Sequence, residues 1–309
     1  MDVLILNRAE VEQLLDLGAL LDALRDGFVA LTGGEVTAPG RNELTMPDEA
    51  FLLGMPGRLR DGAMTVKVVT VFESHDPSHL ATIGLYDPHS GACRAFMDGT
   101  YITAIRTSAA AAVATDLLAR EDARTLAIIG AGVQGEHHLR TFPLVRDFAE
   151  IRIASLYAED AHRLAELHPR AHAVDDPESA VRGADVVALA THAAQPVIEP
   201  AWIAPGTHVS SVGYRPPDGE LPRALLDVAT LFVETQEAFE PTPVGCAELD
   251  GARAATELGE VLLDRKPGRM SEHEITVYKA MGHVVEDIAA AELVYAAALE
   301  SRAGRIVEL

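Results

Sequence analysis

The spacing of apolar positions in the first third of the chain predicts helical structure followed by short strands. Apolar residues recur with helical periodicity over residues 9–31, and the pattern ends at Gly33-Gly34. Short apolar runs separated by turn-forming residues follow at 51–55, 64–72, 81–86 and 92–97. Runs of this length favour antiparallel strands joined by hairpins. The Ala-rich stretch 103–118 then predicts a long, closely packed helix.

Beyond this helix the pattern changes to strands and helices in alternation. Strands are predicted at 125–130, 150–155, 185–190, 207–212 and 229–233. Helices are predicted at 133–146, 158–167, 177–182 and 222–227, and three further helix-like segments close the chain at 256–263, 271–281 and 283–302. Such alternation is typical of an α/β protein with a doubly wound parallel sheet.

A glycine-rich segment joins the first strand of this second pattern to its first helix. The apolar residues 125–129 run directly into the G-x-G-x-x-G pattern GAGVQG at 130–135. In such a loop the first glycine allows a tight turn, the second lets the backbone approach a pyrophosphate, and the third lets helix and strand pack closely. We therefore predict a dinucleotide site formed by Gly130, Gly132, Val133, Gln134 and Gly135. A strand-to-helix turn that binds nothing is the alternative interpretation.

The end of the second strand of this pattern is the position that normally reads the ribose of the nucleotide. Glu150 begins that strand, at the wrong end for this role, whereas Ser155 stands near its end and is expected to bind the cofactor. Neither the Asp typical of NAD-binding proteins nor the Arg typical of NADP-binding proteins is found there. Thr191, after the strand 185–190, is expected to line the nicotinamide side. The cofactor is NAD or NADP, and these residues do not choose between them.

Composition narrows the class of partner. The chain has 309 residues, is 48% hydrophobic and carries a formal net charge of −22, which argues against nucleic acid or an anionic membrane as a partner. Cys93 and Cys246 form no C-x-x-C pattern, so neither a disulfide framework nor a metal site is expected. Because the N-terminus has no signal-peptide pattern and no apolar run reaches membrane-spanning length, we expect a soluble, cytoplasmic protein.

Lys67 is unusual because it lies inside the apolar run MTVKVV at 64–69. In an alternating strand it shares a face with Thr65 and Val69. A lysine buried without an anionic partner is costly or loses its proton. Either Lys67 has an anionic partner, such as a substrate carboxylate, or its side chain extends to water. The residues alone leave both interpretations open.

Several phrases together resemble the ornithine cyclodeaminase and mu-crystallin family over nearly the whole chain. They are VKVVTVF at 66–72, DGTYITAIRTSAA at 98–110, GAGVQG at 130–135, VGY at 212–214 and KPGR at 266–269. The resemblance implies a Rossmann NAD(P)-binding domain, residues 116–283, inserted in an α+β substrate-binding and dimerisation domain, residues 1–115 plus 284–309. It also implies a homodimer that acts on an imino or amino acid with NAD or NADP.

The resemblance also assigns roles to individual side chains. Arg41 and Arg106 match arginines that hold the substrate α-carboxylate, a task suited to the guanidinium fork, although both positions also suit a surface Arg. Lys67 matches the family's substrate lysine and is the expected proton donor in catalysis. Thr107 is expected to contact the cofactor phosphate. Glu286-Asp287 match a position near the active site, but a solvated helical pair is equally compatible with the sequence.

One family feature is missing from the segment VGYRPPDGEL at 212–221. Cyclodeaminases and related alanine dehydrogenases carry an Asp shortly after the matching Gly213, and the aligned position here is Arg215. Elimination of ammonia needs an acid/base group at this place, whereas reduction of a preformed imine needs only carboxylate binding, a hydride donor and a proton source. Asp218 or Glu220 substitutes for the missing Asp only if the loop is rearranged. Arg215 is instead a candidate ligand for a second, distal carboxylate.

The sequence therefore predicts an NAD(P)-dependent oxidoreductase that reduces an imino acid (ketimine) to an amino acid, or catalyses the reverse dehydrogenation. The alternatives are an ammonia-eliminating cyclase of the ornithine cyclodeaminase type and a crystallin-like protein that binds NAD(P)H without catalysis. His137 and His138, which follow the glycine-rich loop, are interpreted as exposed polar residues of a helix.

Overall fold

The computed structural model describes residues 1–46, 50–75, 77–252 and 254–309. The strands are β1 (Asp2–Leu6), β2 (Val36–Thr37), β3 (Asn42–Thr45), β4 (Phe51–Leu59), β5 (Met64–Val71), β6 (His79–Tyr86), β7 (Cys93–Asp98), β8 (Thr125–Ile129), β9 (Glu150–Ala154), β10 (Ala171–Ala173), β11 (Val186–Leu189), β12 (His208–Ser211), β13 (Thr230–Val233), β14 (Thr256–Glu257), β15 (Thr276–Lys279) and β16 (Arg305–Glu308). The α-helices are α1 (Arg8–Leu14), α2 (Leu17–Thr32), α3 (Gly99–Leu118), α4 (Val133–Thr141), α5 (Ala158–Ala165), α6 (Pro177–Val181), α7 (Leu258–Leu262) and α8 (Val284–Ser301).

The chain divides into two compact units, Met1–Arg106 with His283–Leu309, and Thr107–Gly282. The sequence places the first boundary at 115/116, inside α3, whereas the structure divides the chain nine residues earlier in the same helix. Because α3 continues without a break through both positions, the sequence offers no linker that marks the division.

The first unit is built on a mostly antiparallel sheet in the order β16-β1-β7-β6-β5-β4-β2, with β3 also paired to β4. Strands β4 to β7 pair antiparallel in sequence, which confirms the predicted hairpins, whereas β1 and β7 run parallel. Helix α8 packs on β4, β5 and β6. On β5 the buried positions alternate, and they place Lys67 on the same face as Thr65 and Val69, as predicted.

The helical pattern predicted over residues 9–31 is formed by two helices. Helix α1 ends at Leu14, and α2 begins at Leu17 with Asp16 as its N-cap. The side chain of Asp16 accepts a hydrogen bond from the backbone N–H of Ala19 at 2.7 Å, which stabilises the start of a new helix. The apolar periodicity hides this break because buried leucines lie on both sides of it.

The second unit contains a parallel sheet in the order β10-β9-β8-β11-β12-β15-β13-β14. Every pair in this order is parallel, which confirms the predicted doubly wound sheet. The strand order reverses at β8, between β9 and β11. In sheets of this kind ligands bind at the carboxyl ends of the strands beside such a reversal.

Two helices predicted in the second unit are wrong. The segment 271–281 contains strand β15 inside the parallel sheet, and all four residues of that strand are buried. A short run buried on all sides has no polar face, so periodicity does not separate it from a helix. Residues 222–227 form only a single 3-10 turn at Arg223–Leu225.

Candidate active site

The glycine-rich loop connects β8 to α4 through a tight turn with close packing of strand and helix. Gly130 has a φ of +108°, and a Cβ on it would lie 2.4 Å from the carbonyl oxygen of Ala190. A Cβ on Gly135 would lie 2.0 Å from the carbonyl oxygen of Gly130, so this glycine permits the close packing of helix and strand. Gly132 is the N-cap of α4, where it supplies no side-chain cap and a Cβ would meet nothing within 4 Å. The helix N-terminus thus offers amides and open space to an anion.

The buried side chains of His137 and His138 form hydrogen bonds with the backbone of the first turn of α4. The prediction that they are exposed is wrong, because only 4% and 0% of their surfaces are accessible. Their Nδ1 atoms donate to the carbonyl oxygens of Val133 and Gln134, each at 2.7 Å. Burial lowers the pKa of His138 to about 4, so its ring is neutral near pH 7. Nothing in the sequence around these two consecutive histidines indicates that they are buried.

The end of β9, where a ribose-reading acid is expected, carries no Asp or Glu. Glu150 begins the strand and bonds to Arg152 at 2.7 Å. Ser155 follows the strand and is half-buried, and Tyr157 beyond it is 67% exposed. The role of Ser155 in binding the cofactor stays a prediction, as does the choice between NAD and NADP.

Glu220 organises the carboxyl ends of β11 and β12. Its Oε2 accepts hydrogen bonds from the backbone N–H and the hydroxyl of Thr191, both at 2.7 Å. Its Oε1 accepts from the Ser211 hydroxyl at 2.9 Å and from the backbone N–H groups of Val212 at 3.1 Å and Gly213 at 2.7 Å. The side chain is fully buried. Thr191, the expected nicotinamide contact, is thus fixed through both of its donors.

This arrangement removes Glu220 from the residues that could replace the missing family Asp. Burial raises the pKa of Glu220, against the opposing effects of Lys279 and of the hydrogen bonds that it accepts. Both carboxylate oxygens are committed to strand ends, so the group is structural. Asp218 is exposed in the same loop, where its backbone N–H donates to the carbonyl oxygen of Ala194 at 3.2 Å. Arg215 is half-buried in this loop.

A second buried lysine, Lys279, lies beside Glu220 and was not predicted as a site residue. Its ammonium donates to the Ser211 hydroxyl at 3.1 Å and to the carbonyl oxygen of Gly213, and it forms an ion pair with Glu248. Lys279 and Glu248 are both buried. Burial by itself would lower the pKa of Lys279, but Glu248 and Glu220 outweigh it and raise that pKa. The available signal was a lone Lys in an apolar run, which was interpreted as part of a helix.

In the first unit, Lys67 has an anionic partner inside the protein. Only 1% of its surface is accessible, so the interpretation that its side chain extends to water is wrong. Its Nζ lies 3.0 Å from Oδ1 and 2.8 Å from Oδ2 of Asp287 on α8. Burial and the charge of Arg106 lower the pKa of Lys67 to about 8, although Asp287 opposes both effects. The lysine is therefore mostly protonated at pH 7, with a pKa close to neutrality.

Arg106 on α3 shares these carboxylates. Its Nε lies 3.2 Å from Asp287 Oδ1, and its Nη1 lies 2.8 Å from Glu286 Oε2. Glu286 and Asp287 have no accessible surface, so they are not the solvated pair that the sequence also allowed. The charges of Lys67 and Arg106 overcome the effect of burial and hold the pKa of Asp287 below its usual range.

The start of α8 fixes these two carboxylates. Glu286 Oε1 accepts the backbone N–H of the N-cap residue His283 at 3.0 Å, and His283 Nδ1 accepts the backbone N–H of Val285 at 3.2 Å. Burial and the charge of Arg41 lower the pKa of His283 to about 4, so the ring is neutral and able to accept. The helix also lies very close to β4, since a Cβ on Gly57 would be 2.4 Å from Cγ1 of Val284.

Arg41 completes the cationic group that the sequence predicts. It is half-buried in the segment before β3, and its charge acts on both Lys67 and His283. The structure thus brings together Arg41, Lys67 and Arg106 within the first unit. Thr107 follows Arg106 on α3 and is half-buried.

Metal and membrane features can be stated for the described ranges. Within them, no three His, Cys, Asp or Glu side chains are grouped so as to hold a metal ion. No helix in the same ranges combines the length and the apolar character needed to span a bilayer.

Comparison with known proteins finds relatives over almost the full length. The family model "Ornithine cyclodeaminase/mu-crystallin family" matches residues 1–302. The chain is 37% identical over 283 residues to ketimine reductase mu-crystallin of Mus musculus, which covers 89% of this chain and 90% of the relative. It is 30% identical over 327 residues to Delta(1)-pyrroline-2-carboxylate reductase of Bacillus cereus, with 99% and 100% covered.

Solved structures of similar proteins match the same fold. Delta(1)-pyrroline-2-carboxylate reductase of Thermococcus litoralis, in complex with NADH and L-proline, superposes with a TM-score of 0.92 at 32% identity, covering 99% of this chain and 100% of that chain. An archaeal alanine dehydrogenase dimer with bound NAD gives 0.89 at 27% identity, with both chains fully covered. The resemblance and the α/β fold predicted from the sequence are confirmed.

Proposed function

Since the chain belongs to the ornithine cyclodeaminase/mu-crystallin family, we propose that it is an NAD(P)-dependent imine reductase that forms an amino acid from an imino acid, or catalyses the reverse reaction. The observation that carries the proposal is the buried Lys67, which is positively charged at pH 7 yet has a pKa of only about 8. A proton donor works best when its pKa lies near the working pH. The relatives named above include three reductases, and the enzyme of Thermococcus litoralis is in complex with NADH and L-proline.

The cofactor fits the second unit. Gly130, Gly132, Val133, Gln134 and Gly135 would hold the pyrophosphate, because the loop presents uncapped amides and open space to an anion. Thr107 and Ser155 are proposed as further contacts of the cofactor, and Thr191 as a contact on the nicotinamide side. When bound, NADH or NADPH supplies the hydride that reduces the carbon of a C=N bond.

The residues of the first unit would bind the substrate and move the proton. Arg41, Lys67 and Arg106 carry three positive charges against the two carboxylates of Glu286 and Asp287. Guanidinium and ammonium groups brought together in this way suit the α-carboxylate of an imino acid. As the C=N bond becomes a C–N bond, the nitrogen takes a proton from the Lys67 ammonium, which is left as a neutral amine and regains its proton from water.

A cyclodeaminase reaction is less well supported. It needs an acid or base at the place of the missing Asp, yet Glu220 is fully committed to strand ends and Asp218 is exposed. We propose that Arg215 binds the second carboxylate of substrates that carry one. Imines formed from oxaloacetate have a second carboxylate, so their reduction tests this role.

The outer face of the antiparallel sheet supports a homodimer. Strand register places Ile5, Val66 and Phe96 on one face, and these residues are 36–38% exposed although they are apolar. Leu80, on the same face of β6, is 54% exposed. An apolar sheet face of this kind marks an interaction site. Light scattering coupled to gel filtration tests the proposal, and Val66→Asp should shift the protein to a monomer.

We also propose a cytoplasmic location, where NAD(P)H is available and the buried thiols of Cys93 and Cys246 remain reduced. Cell fractionation followed by immunodetection of the chain checks this proposal. Recovery from the periplasmic or membrane fraction would contradict it.

The decisive experiment is NADH and NADPH oxidation at 340 nm with a panel of imino acids. The panel contains Δ1-pyrroline-2-carboxylate, Δ1-piperideine-2-carboxylate, and pyruvate, glyoxylate and oxaloacetate mixed with ammonia or methylamine. Turnover that requires an imine supports the proposal and identifies cofactor and substrate class together. Ammonia release from L-ornithine without net cofactor reduction would favour the cyclodeaminase. Cofactor binding without turnover on any substrate would favour a non-catalytic protein.

A further inference from the structure

We propose that Asp287 is a positioning residue that fixes the Lys67 ammonium in the site and keeps it protonated at neutral pH. The catalytic meaning of this inference rests on the proposed function, but the interaction itself does not. Asp287 lies on α8 and Lys67 on β5, 220 residues apart in the chain. Burial of charged groups is costly, so the presence of this carboxylate beside a buried lysine calls for a physical explanation.

The contacts point to positioning. Both oxygens of Asp287 lie within 3.0 Å of Lys67 Nζ, and one of them also accepts from Arg106 Nε at 3.2 Å. One carboxylate therefore links side chains from β5 and α3. All three side chains are at least 94% buried, so water does not share these contacts. The hydrogen bond to Oδ1 and the charge contact with Oδ2 restrict the freedom that a flexible lysine would otherwise have in a pocket.

The charges around Lys67 show why the ammonium needs this partner. Arg106 and Arg41 both favour the neutral amine, and burial acts in the same direction and is the largest effect. His283, at the start of α8, is neutral near pH 7 and adds no charge. The charge of Asp287 and its hydrogen bond to Lys67 oppose these effects and favour the ammonium. Without it, the pKa of Lys67 would fall further, and a smaller fraction of the lysine would carry a proton at pH 7.

Glu286 supplies a matched control on the same helix. It is as fully buried as Asp287, but its oxygens contact Arg106 and the backbone N–H of His283. The leading effects on the pKa of Lys67 come from burial, Arg106, Asp287 and Arg41. The two neighbours thus separate the loss of a buried carboxylate in general from the loss of the partner of Lys67.

The composition makes a direct measurement possible, because Lys67, Lys266 and Lys279 are the lysines of the chain. We would label the protein with [¹³Cε]lysine, assign the signals with Lys266→Arg and Lys67→Met, and titrate from about pH 4.5 to 11 by NMR, a range that covers the shifted midpoint expected from the loss of an opposite charge. In the wild type the Lys67 signal should titrate near pH 8. In Asp287→Asn the midpoint should fall by about 1 to 3 pH units, the effect of an opposite charge at this distance. In Glu286→Gln it should move far less.

The titration is paired with the pH dependence of kcat/KM for imine reduction. If Asp287 acts through Lys67, the alkaline limb in Asp287→Asn moves down by the same interval as the NMR midpoint. A Lys67 signal that titrates at the wild-type pH in Asp287→Asn would overturn the inference. A shifted midpoint in a protein that reduces no imine would uphold the role of Asp287 and reject the proposed function.

The wild type decides the question if Asp287→Asn does not fold. With [¹³Cγ]aspartate, one carboxyl carbon should show a step near pH 8, because Asp287 senses the loss of the charge 2.8 Å away. Lys67→Met should abolish that step. If no aspartate signal has a step that depends on Lys67, the inference is rejected.

Discussion

The two buried lysines of this protein are in opposite electrostatic surroundings. Lys67 lies with one carboxylate partner and two arginines, and its pKa falls to about 8. Lys279 is equally buried, but Glu248 and Glu220 outweigh the effect of burial and raise its pKa. Burial therefore does not decide the role of a lysine. The balance of neighbouring charges makes Lys67 suited to proton transfer and makes Lys279 a permanent cation that ties strand ends together.

The largest effect that distinguishes the two lysines is expected on stability. Lys279→Met leaves the carboxylates of Glu248 and Glu220 buried without their cation, which should cost about 3–5 kcal/mol of unfolding free energy. Urea denaturation measures this loss. Lys266→Met is the control, since Lys266 forms a partly exposed pair with Glu260 and should change stability by less than about 1 kcal/mol. If the Lys279→Met protein is as stable as the wild type, Lys279 does not have the structural role that distinguishes it from Lys67.

The complementary substitution should affect catalysis. Lys67→Ala is expected to lower turnover at least about 100-fold, roughly 3 kcal/mol of transition-state stabilisation. Nucleotide affinity should be nearly unchanged, because the loop that is proposed to bind the cofactor belongs to the second unit. Steady-state assays and NADH fluorescence titration measure the two quantities. Turnover equal to that of the wild type would exclude Lys67 from the mechanism.

The pH dependence of reduction should follow the protonation of Lys67. The donor is the ammonium, so kcat/KM should be constant below the pKa of about 8 and fall about tenfold per pH unit above it. The oxidative direction needs the neutral amine and should rise over the same interval. Lys279 cannot produce this limb, because its pKa is raised. A reductive rate that stays flat to pH 10 would assign the proton to another group.

The smallest effect of a single residue concerns acid stability. Burial lowers the pKa of His138 and His283 to about 4 and that of His208 to about 3, below the unfolded value of 6.5. The unfolded state binds more protons in this interval, so stability present above pH 6.5 is lost as the pH falls towards these values. Each histidine should contribute about 1.4 kcal/mol per pH unit. Urea denaturation at pH 7 and pH 5 tests this, and His138→Gln should reduce the difference.

Sequence patterns predicted much of the fold because local spacing carries it. The hairpins of the first unit and the strands β8, β9 and β11 follow from short apolar runs between turn residues, and the face of Lys67 follows from simple alternation. Strand β15 was predicted as a helix because a run buried on every side has no period to detect. Asp16 shows the same limit, since one capping side chain starts a new helix where the apolar pattern continues.

The candidate site was predictable only in part, because its partners come from distant positions. Lys67 and Arg106 were identified from their own segments, but which carboxylate meets Lys67 depends on how α8 packs on the sheet. Glu220 was considered as an acid, and its true role needs the positions of two strand ends. The consecutive histidines after the glycine-rich loop have no local feature that distinguishes a buried pair from an exposed one.

The contact between Gly57 and Val284 has a consequence for how this protein can change over evolutionary time. A single methyl group at position 57 would overlap the start of α8 and displace the helix that carries Glu286 and Asp287. Gly57 contacts neither lysine. Substitutions at this position should nevertheless affect activity, because they move the carboxylates that contact Lys67 and Arg106. Even Ala, the smallest possible replacement, should therefore be selected against at this position. We expect the substitution to lower activity before it prevents folding.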